Sequence, residues 1–206
     1  MLSQAEKGGV QNTIQNCVTV LQNDPVLADS IRLNLLSERI DIVKPMGWQR
    51  SGPTLTDTDM MYILRRMEKY GLYSEKRVSA AIRIVANENH YHPIRDYLND
   101  LKWDGAERIS HALHRFLGAA EDELTAEALK IFLLGAIKRV FHPGCKFEMM
   151  LCLVGGQGAG KSSFFRLLAI KDEWFSNDLR RMDDDNVFRK LQGHWIIEMS
   201  EMIATA

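Results

Sequence analysis

The residues with the clearest chemical potential form a single run, Gly155-Gly-Gln-Gly-Ala-Gly160-Lys161-Ser162. Its spacing is GxxxxGK[ST], in which glycines take positive φ values and bring backbone N–H groups against phosphate oxygens with no Cβ in the way. A helix opening near Gly160 aims its partial positive end at the same oxygens. The expected ligand is ATP with Mg²⁺. Gly155, Gly156, Gln157, Gly158, Ala159, Gly160, Lys161, Ser162 and Ser163 are the expected cradle, with Lys161 on the β/γ-phosphates and the Ser162 hydroxyl on the metal. The four fixed positions coincide by chance in on the order of 1% of chains this long. Context narrows the reading further. Met149-Met-Leu-Cys-Leu-Val154 predicts a central parallel strand covered on both faces, and Ser163-Phe-Phe-Arg-Leu-Leu168 predicts a helix directly after the loop.

A phosphate loop of this kind needs a second element, an apolar strand that ends in a carboxylate. His194-Trp-Ile-Ile-Glu198-Met-Ser-Glu201 supplies one. Glu198 stands where the acid belongs and is expected to share the metal with Ser162; Glu201 is three residues on. One of the two serves the metal and the other activates the attacking water, and the spacing leaves open which does which. Asp183-Asp-Asp185 reads as the N-terminal cap of a helix through Val187 and Leu191. His90 with His92, and His111 with His114, have short spacings, but no cysteine or carboxylate completes a tetrahedral metal set around either pair.

Most of the chain before this region has helical periodicity. Ile14, Cys17, Val18 and Leu21 make an apolar stripe that ends at Asp24-Pro25, and Ile31 to Val43 reads as a small hairpin. Thr56 with Asp59 resembles a capping box, Met60, Ile63, Leu64 and Met67 follow as a buried stripe, and Gly71 closes the helix in the left-handed region. Ser74 caps the next helix, whose stripe is Val78, Ala81, Ile82 and Val85, with Lys76 and Arg83 on the opposite face. This pair is either a helix-turn-helix that reads DNA or a plain helical hairpin with solvated basic residues. Pro93 opens another helix, Trp103-Asp-Gly105 turns the chain, a helix through Leu113 stops at Gly118, and one from Thr125 runs to Pro143-Gly144.

The expected fold class is α/β. A mainly helical N-terminal domain precedes a partial P-loop NTPase parallel sheet with flanking helices. The expected divisions are 1–27, an N-terminal helical segment; 28–143, mainly helical with the hairpin; and 144–206, the nucleotide core. Such a sheet normally gains a further strand, carrying a polar sensor, after the acidic strand. Since only Met202 to Ala206 follow Glu201, the chain is expected to be the front part of a longer protein, binding nucleotide weakly and hydrolysing it poorly by itself.

Composition restricts the partners. Of 206 residues, 26 are Lys or Arg and 27 Asp or Glu, so no chain-wide positive field recruits nucleic acid or membrane, and any such contact must be local. Three cysteines, Cys17, Cys145 and Cys152, lack CxxC spacing and point to reduced thiols in the cytosol. No apolar run approaches the ~18 residues of a membrane span.

Five strings together resemble the virulence-associated E family: His92-Pro-Ile-Arg-Asp-Tyr-Leu98, the Leu101-Lys-Trp-Asp-Gly105 turn, Phe141-His-Pro-Gly-Cys-Lys-Phe147, Trp174-Phe-Ser176 and Trp195-Ile-Ile-Glu-Met-Ser-Glu201. The resemblance runs from about Asn12 onward. Members are phage and genomic-island ATPases, similar to superfamily 3 replicative helicases and often linked to primase modules. The resemblance implies a hexameric ATP-driven motor on single-stranded DNA in the cytoplasm of a bacterial host, with an arginine finger from the neighbouring subunit and a primase as a further partner. Gly155, Gly160, Lys161 and Ser162 match the family's phosphate site and Glu198 its acidic strand end. Packing between helices is the expected role of Pro93, Tyr97 and Trp103. The alternatives are a P-loop regulator or a catalytically silent DNA-binding partner. A small-molecule kinase fits less well, since the helical preamble offers no acceptor site.

Overall fold

The helix Ile14–Asn23 (α1) forms where the apolar stripe begins, and the Thr13 side chain caps it by accepting from the Asn16 N–H at 3.2 Å. In the computed structural model, residues 2–4, 9–179 and 187–199 are described, and they divide by contact into two units, Met1–Pro93 and Ile94–Ala206.

In the first unit an antiparallel hairpin, Ile31–Asn34 (β1) and Arg39–Ile42 (β2), pairs Ile31 with Ile42 and Asn34 with Arg39. Bridges Asn34–Tyr91 and Asp41–Thr54 extend it by one residue on each side. Helix Asp57–Met67 (α2) starts with the full capping box: Thr56 Oγ1 accepts from the Asp59 N–H, and the Asp59 carboxylate accepts from the Thr56 N–H. A 3₁₀ turn, Glu68–Tyr70, leads to Gly71 at φ 74°. Helix Glu75–Glu88 (α3) buries Val78, Ala81, Ile82 and Val85 and packs on α1 and β1, while Lys76 and Arg83 are exposed. Ser74 occupies its N-cap position without a side-chain cap bond. The core of this unit gathers Cys17, Leu21, Ile31, Ile63, Met67, Leu72 and Ile82.

Helix Pro93–Asp100 (α4) has Pro93, the last residue of the first unit, at its first position, and its other residues belong to the second unit. Helices Ile109–Leu117 (α5) and Glu123–Phe141 (α6) form a hairpin closed by Gly118 at φ 67°. α6 starts two residues before the expected Thr125, because the Asp122 carboxylate accepts from the Thr125 N–H at 2.8 Å and makes Asp122 the cap. Helix Lys161–Leu168 (α7) inserts Phe164 into a core with Leu113 and Leu129. α5 and α6 thus share a core with the helix that follows the glycine loop. Strand Phe175–Ser176 (β3) pairs in parallel with Ile196–Ile197 (β4), and a short helix, Val187–Leu191 (α8), lies between them in sequence.

The extended central sheet expected here is not formed among the described residues; the sheets are the hairpin and the β3–β4 pair. Residues 149–154 are not a strand. Leu151 and Leu153 pack against the α5–α7 core, but Met149, Met150 and Val154 are exposed, Val154 by 99%. The segment is covered on one face only, and no neighbouring strand among the described residues takes its ladder hydrogen bonds. The chain is thus α/β, with helices dominating. Among the described residues no helix is long and apolar enough to cross a membrane.

Candidate functional site

The glycine loop sits between 154 and the first turn of α7. Gly158 and Gly160 adopt φ 80° and 82°, the left-handed region in which a Cβ is strained, so these two glycines are required by backbone conformation. Gly160 is the N-cap of α7, which leaves the free N–H groups of the first turn directed at the loop. Lys161 is half-buried, and its ammonium donates to the carbonyls of Gly155 and Gly156, each at 2.8 Å. Ser162 and Ser163 are exposed on the first turn, while Phe164 and Phe165 point the other way into the core.

The acidic partner arrives through the parallel pair. Trp195 N–H donates to Trp174 O at 2.7 Å and Glu198 N–H to Ser176 O at 2.8 Å, which fixes the register at the end of β4. That register brings Glu198 to α7. Ser162 Oγ donates to Glu198 Oε1 at 2.6 Å, across 36 residues of sequence. The second oxygen, Glu198 Oε2, is buried and has no hydrogen-bond partner among the described residues. A buried carboxylate oxygen without a donor is costly, and a cation or a water held by one is the ordinary remedy. Ser162 and Glu198 thus bring two hard oxygens together at the start of α7, next in sequence to the lysine that is bonded to the glycine loop.

Glu201 lies outside the described residues, as does the Asp183-Asp-Asp185 cluster expected to cap α8. The aromatic residues behind the site were legible only as strings. Trp174 and Trp195 pack edge to face, with centroids 6.3 Å apart, and Tyr97 of α4 meets Trp174 at 5.8 Å. The Trp195 indole N–H also donates to Ala136 O of α6 at 3.2 Å. β3 itself was not foreseen from the sequence. The signal was present in the matched phase of Trp174-Phe-Ser and Trp195-Ile-Ile, whose tryptophans lie side by side one step before each two-residue strand.

The other strings acquire structural roles. Arg95 Nε donates to Val140 O in the last turn of α6 at 2.8 Å, and the Phe147 ring lies over Gly135, in the place a Cβ would occupy. Arg139 donates to Phe147 O at 3.1 Å, fixing the segment that leads toward the loop. Trp103 does not pack as expected; it is 83% exposed. The reason is local: the Asp104 carboxylate accepts from the Ala106 N–H and from Arg108, closing the turn upon itself and leaving the indole outside. In the first unit a cavity lined by Arg50, Thr56 and Asp59 holds no spare charge, since Arg50 and Asp59 are bonded to each other at 2.8 Å.

Comparison with curated proteins finds no match. A family model does match: residues 98–206, more than half of the chain, fit the virulence-associated protein E-like domain. The match begins at the end of the His92–Leu98 string and takes in the Trp103 turn, the glycine loop and Glu198, so the chain belongs to the virulence-associated protein E-like family.

Proposed function

We propose that the glycine loop with Lys161, Ser162 and Glu198 binds ATP together with Mg²⁺, and that the protein is an ATPase of the motor class acting on single-stranded DNA during replication of a mobile element. The observation that carries the reading is the Ser162–Glu198 bond at 2.6 Å beside a buried, donor-less carboxylate oxygen. The positive-φ glycines and the free first turn of α7 support it. Ser162 and Glu198 would hold the Mg²⁺, which supplies charge neutralisation between the phosphates when bound. Lys161 exchanges its two carbonyl acceptors for phosphate oxygens, a stronger charge-assisted pairing. The proton of the attacking water passes to a carboxylate, Glu198 or Glu201. Ring assembly as a hexamer, an arginine from the neighbouring subunit, a primase partner and a site of action in the bacterial cytoplasm belong to the same proposal.

The test measures ATP affinity and steady-state hydrolysis with and without a single-stranded oligonucleotide. Lys161→Ala is expected to weaken ATP binding by about tenfold or more, and Glu198→Gln to keep binding while lowering turnover by about a hundredfold. Single-stranded DNA is expected to raise the rate of the unaltered protein. Unchanged affinity in Lys161→Ala defeats the site assignment. Lys161-dependent binding with neither turnover nor a DNA response favours a nucleotide-binding regulator over a motor.

A further inference from the structure

Helix α6 is apolar on two opposite sides. On one side Leu129 and Val140 are buried and Leu133 packs into the α5–α7 core. On the other, Leu124, Ile131, Leu134 and Phe141 are 79%, 37%, 57% and 38% exposed. Together with Glu127 and Lys138 these residues are spaced 3, 4, 3, 4 and 3 apart, the a/d pattern of a coiled-coil seam. A helix that is apolar on two sides normally has something on each, and among the described residues these four side chains keep more than a third of their surface exposed.

The order of residues along the seam identifies what covers the other. Read from its two ends toward the middle, the seam pairs Leu124 with Phe141, Glu127 with Lys138 and Ile131 with Leu134. A two-fold axis passing between Phe132 and Leu133 would therefore set each of these residues against its counterpart in a second, antiparallel copy. Every layer then joins an a residue to a d residue, apolar to apolar and acid to base, and each layer occurs twice. Charge agrees at the two ends of the helix: Asp122 and Glu123 lie at its start and Lys138 and Arg139 in its last turn, so antiparallel alignment opposes unlike charges and unlike dipole ends, while Glu127 in the single chain pairs with Lys130. A parallel arrangement would place Glu127 against Glu127 and Lys138 against Lys138.

We propose that α6 is a self-association surface through which two copies of this chain pair antiparallel in that register. The contact is isologous, unlike the head-to-tail contact of a ring, and it requires no nucleotide. Nineteen residues make a seam of about 28 Å, short of an obligate interface, so the dimer is a concentration-dependent equilibrium.

Sedimentation equilibrium of the 206-residue chain without nucleotide tests this. The unaltered protein is expected to show a monomer–dimer equilibrium, and Leu134→Asp to abolish it while leaving the circular dichroism spectrum and melting temperature unchanged, because Leu134 is exposed. Glu127→Lys and Lys138→Glu are each expected to raise the dissociation constant by about tenfold or more, and the double exchange to restore it to within about threefold. Rescue is the decisive readout, since two merely disruptive changes would add. A chain monomeric at all concentrations, which leaves the stripe to a different partner, overturns the proposal. So does an assembly indifferent to Leu134→Asp, or a double exchange that fails to rescue.

Discussion

Ser162 and Glu198 are joined by a hydroxyl–carboxylate bond, and what each could do alone differs sharply. Without the hydroxyl, neither Glu198 oxygen has a donor among the described residues, and a metal held between the two residues loses one ligand. On the proposed reading, Ser162→Ala should therefore abolish most of the difference in ATP affinity between Mg²⁺ and chelator, whereas Ser162→Thr, which keeps the hydroxyl, should retain it. Titration calorimetry with and without the metal checks this, and Mg²⁺-dependent affinity that survives in Ser162→Ala would sink the metal assignment. At this scale the sequence was informative because motif chemistry fixes residue type: Gly158 and Gly160 need positive φ, Ser162 needs a hydroxyl, and Glu198 ends an apolar run. Trp103 shows the limit. Its type suggests burial, but the Asp104–Arg108 pair four residues apart decides the direction of the turn, and side-chain hydrogen bonds of that kind leave no periodic trace.

Elements were legible where a single segment determines its own state. The capping box at Thr56 and the left-handed Gly71 need nothing beyond neighbouring residues, and both formed as the string implies. Replacing Thr56 by Ala removes the side-chain acceptor and should cost about 1 kcal/mol, read as a lower midpoint in urea. A strand is different, since it exists only if a neighbour takes its hydrogen bonds. Residues 149–154 have the composition of a buried strand, yet only Leu151 and Leu153 are covered, because apolar type reports what wants burial and not what stands beside it. Gly135 gives a sharper test at this level. It lies inside α6 with ordinary helical φ, so Gly135→Ala would gain up to about 1 kcal/mol from propensity alone. The Phe147 ring occupies the place of the new methyl, so displacing it should cost about 1–3 kcal/mol and make the net change destabilising. Thermal melting settles the sign. A more stable Gly135→Ala would mean that Phe147 does not hold the segment before the loop against α6, and adding Phe147→Leu should recover part of any loss.

For the molecule as a whole, buried charge is distributed unevenly between the two units. Asp24 and Asp59, both 2% exposed, lie in the first. Burial raises the pKa of each, but bonds outweigh it: Arg66, Tyr70 and the Val26 and Leu27 N–H groups hold Asp24 low, and Arg50, Trp48 and Thr56 hold Asp59 low. A carboxylate whose folded pKa is depressed contributes stability that is present above its unfolded value, about 3.9, and lost as pH falls through the folded value. Acid–base pairs described in the second unit, such as Asp104–Arg108, Glu127–Lys130 and Glu148–Lys146, are solvent-exposed and screened, so their loss weighs less. Acidification below about pH 4 should therefore deprotect Ile14–Asn23 and Asp57–Met67 before Lys161–Leu168. Brief hydrogen-exchange pulses at one fixed pH, applied after equilibration at each acid pH, measure the order directly. ATP with Mg²⁺ at a hundred times its dissociation constant should add about 2.7 kcal/mol to the protection of Lys161–Leu168 by mass action. Loss that starts at Lys161–Leu168 would show that Asp24 and Asp59 do not set the acid limit, while nucleotide that protects Ile14–Asn23 instead would place its binding in the first unit.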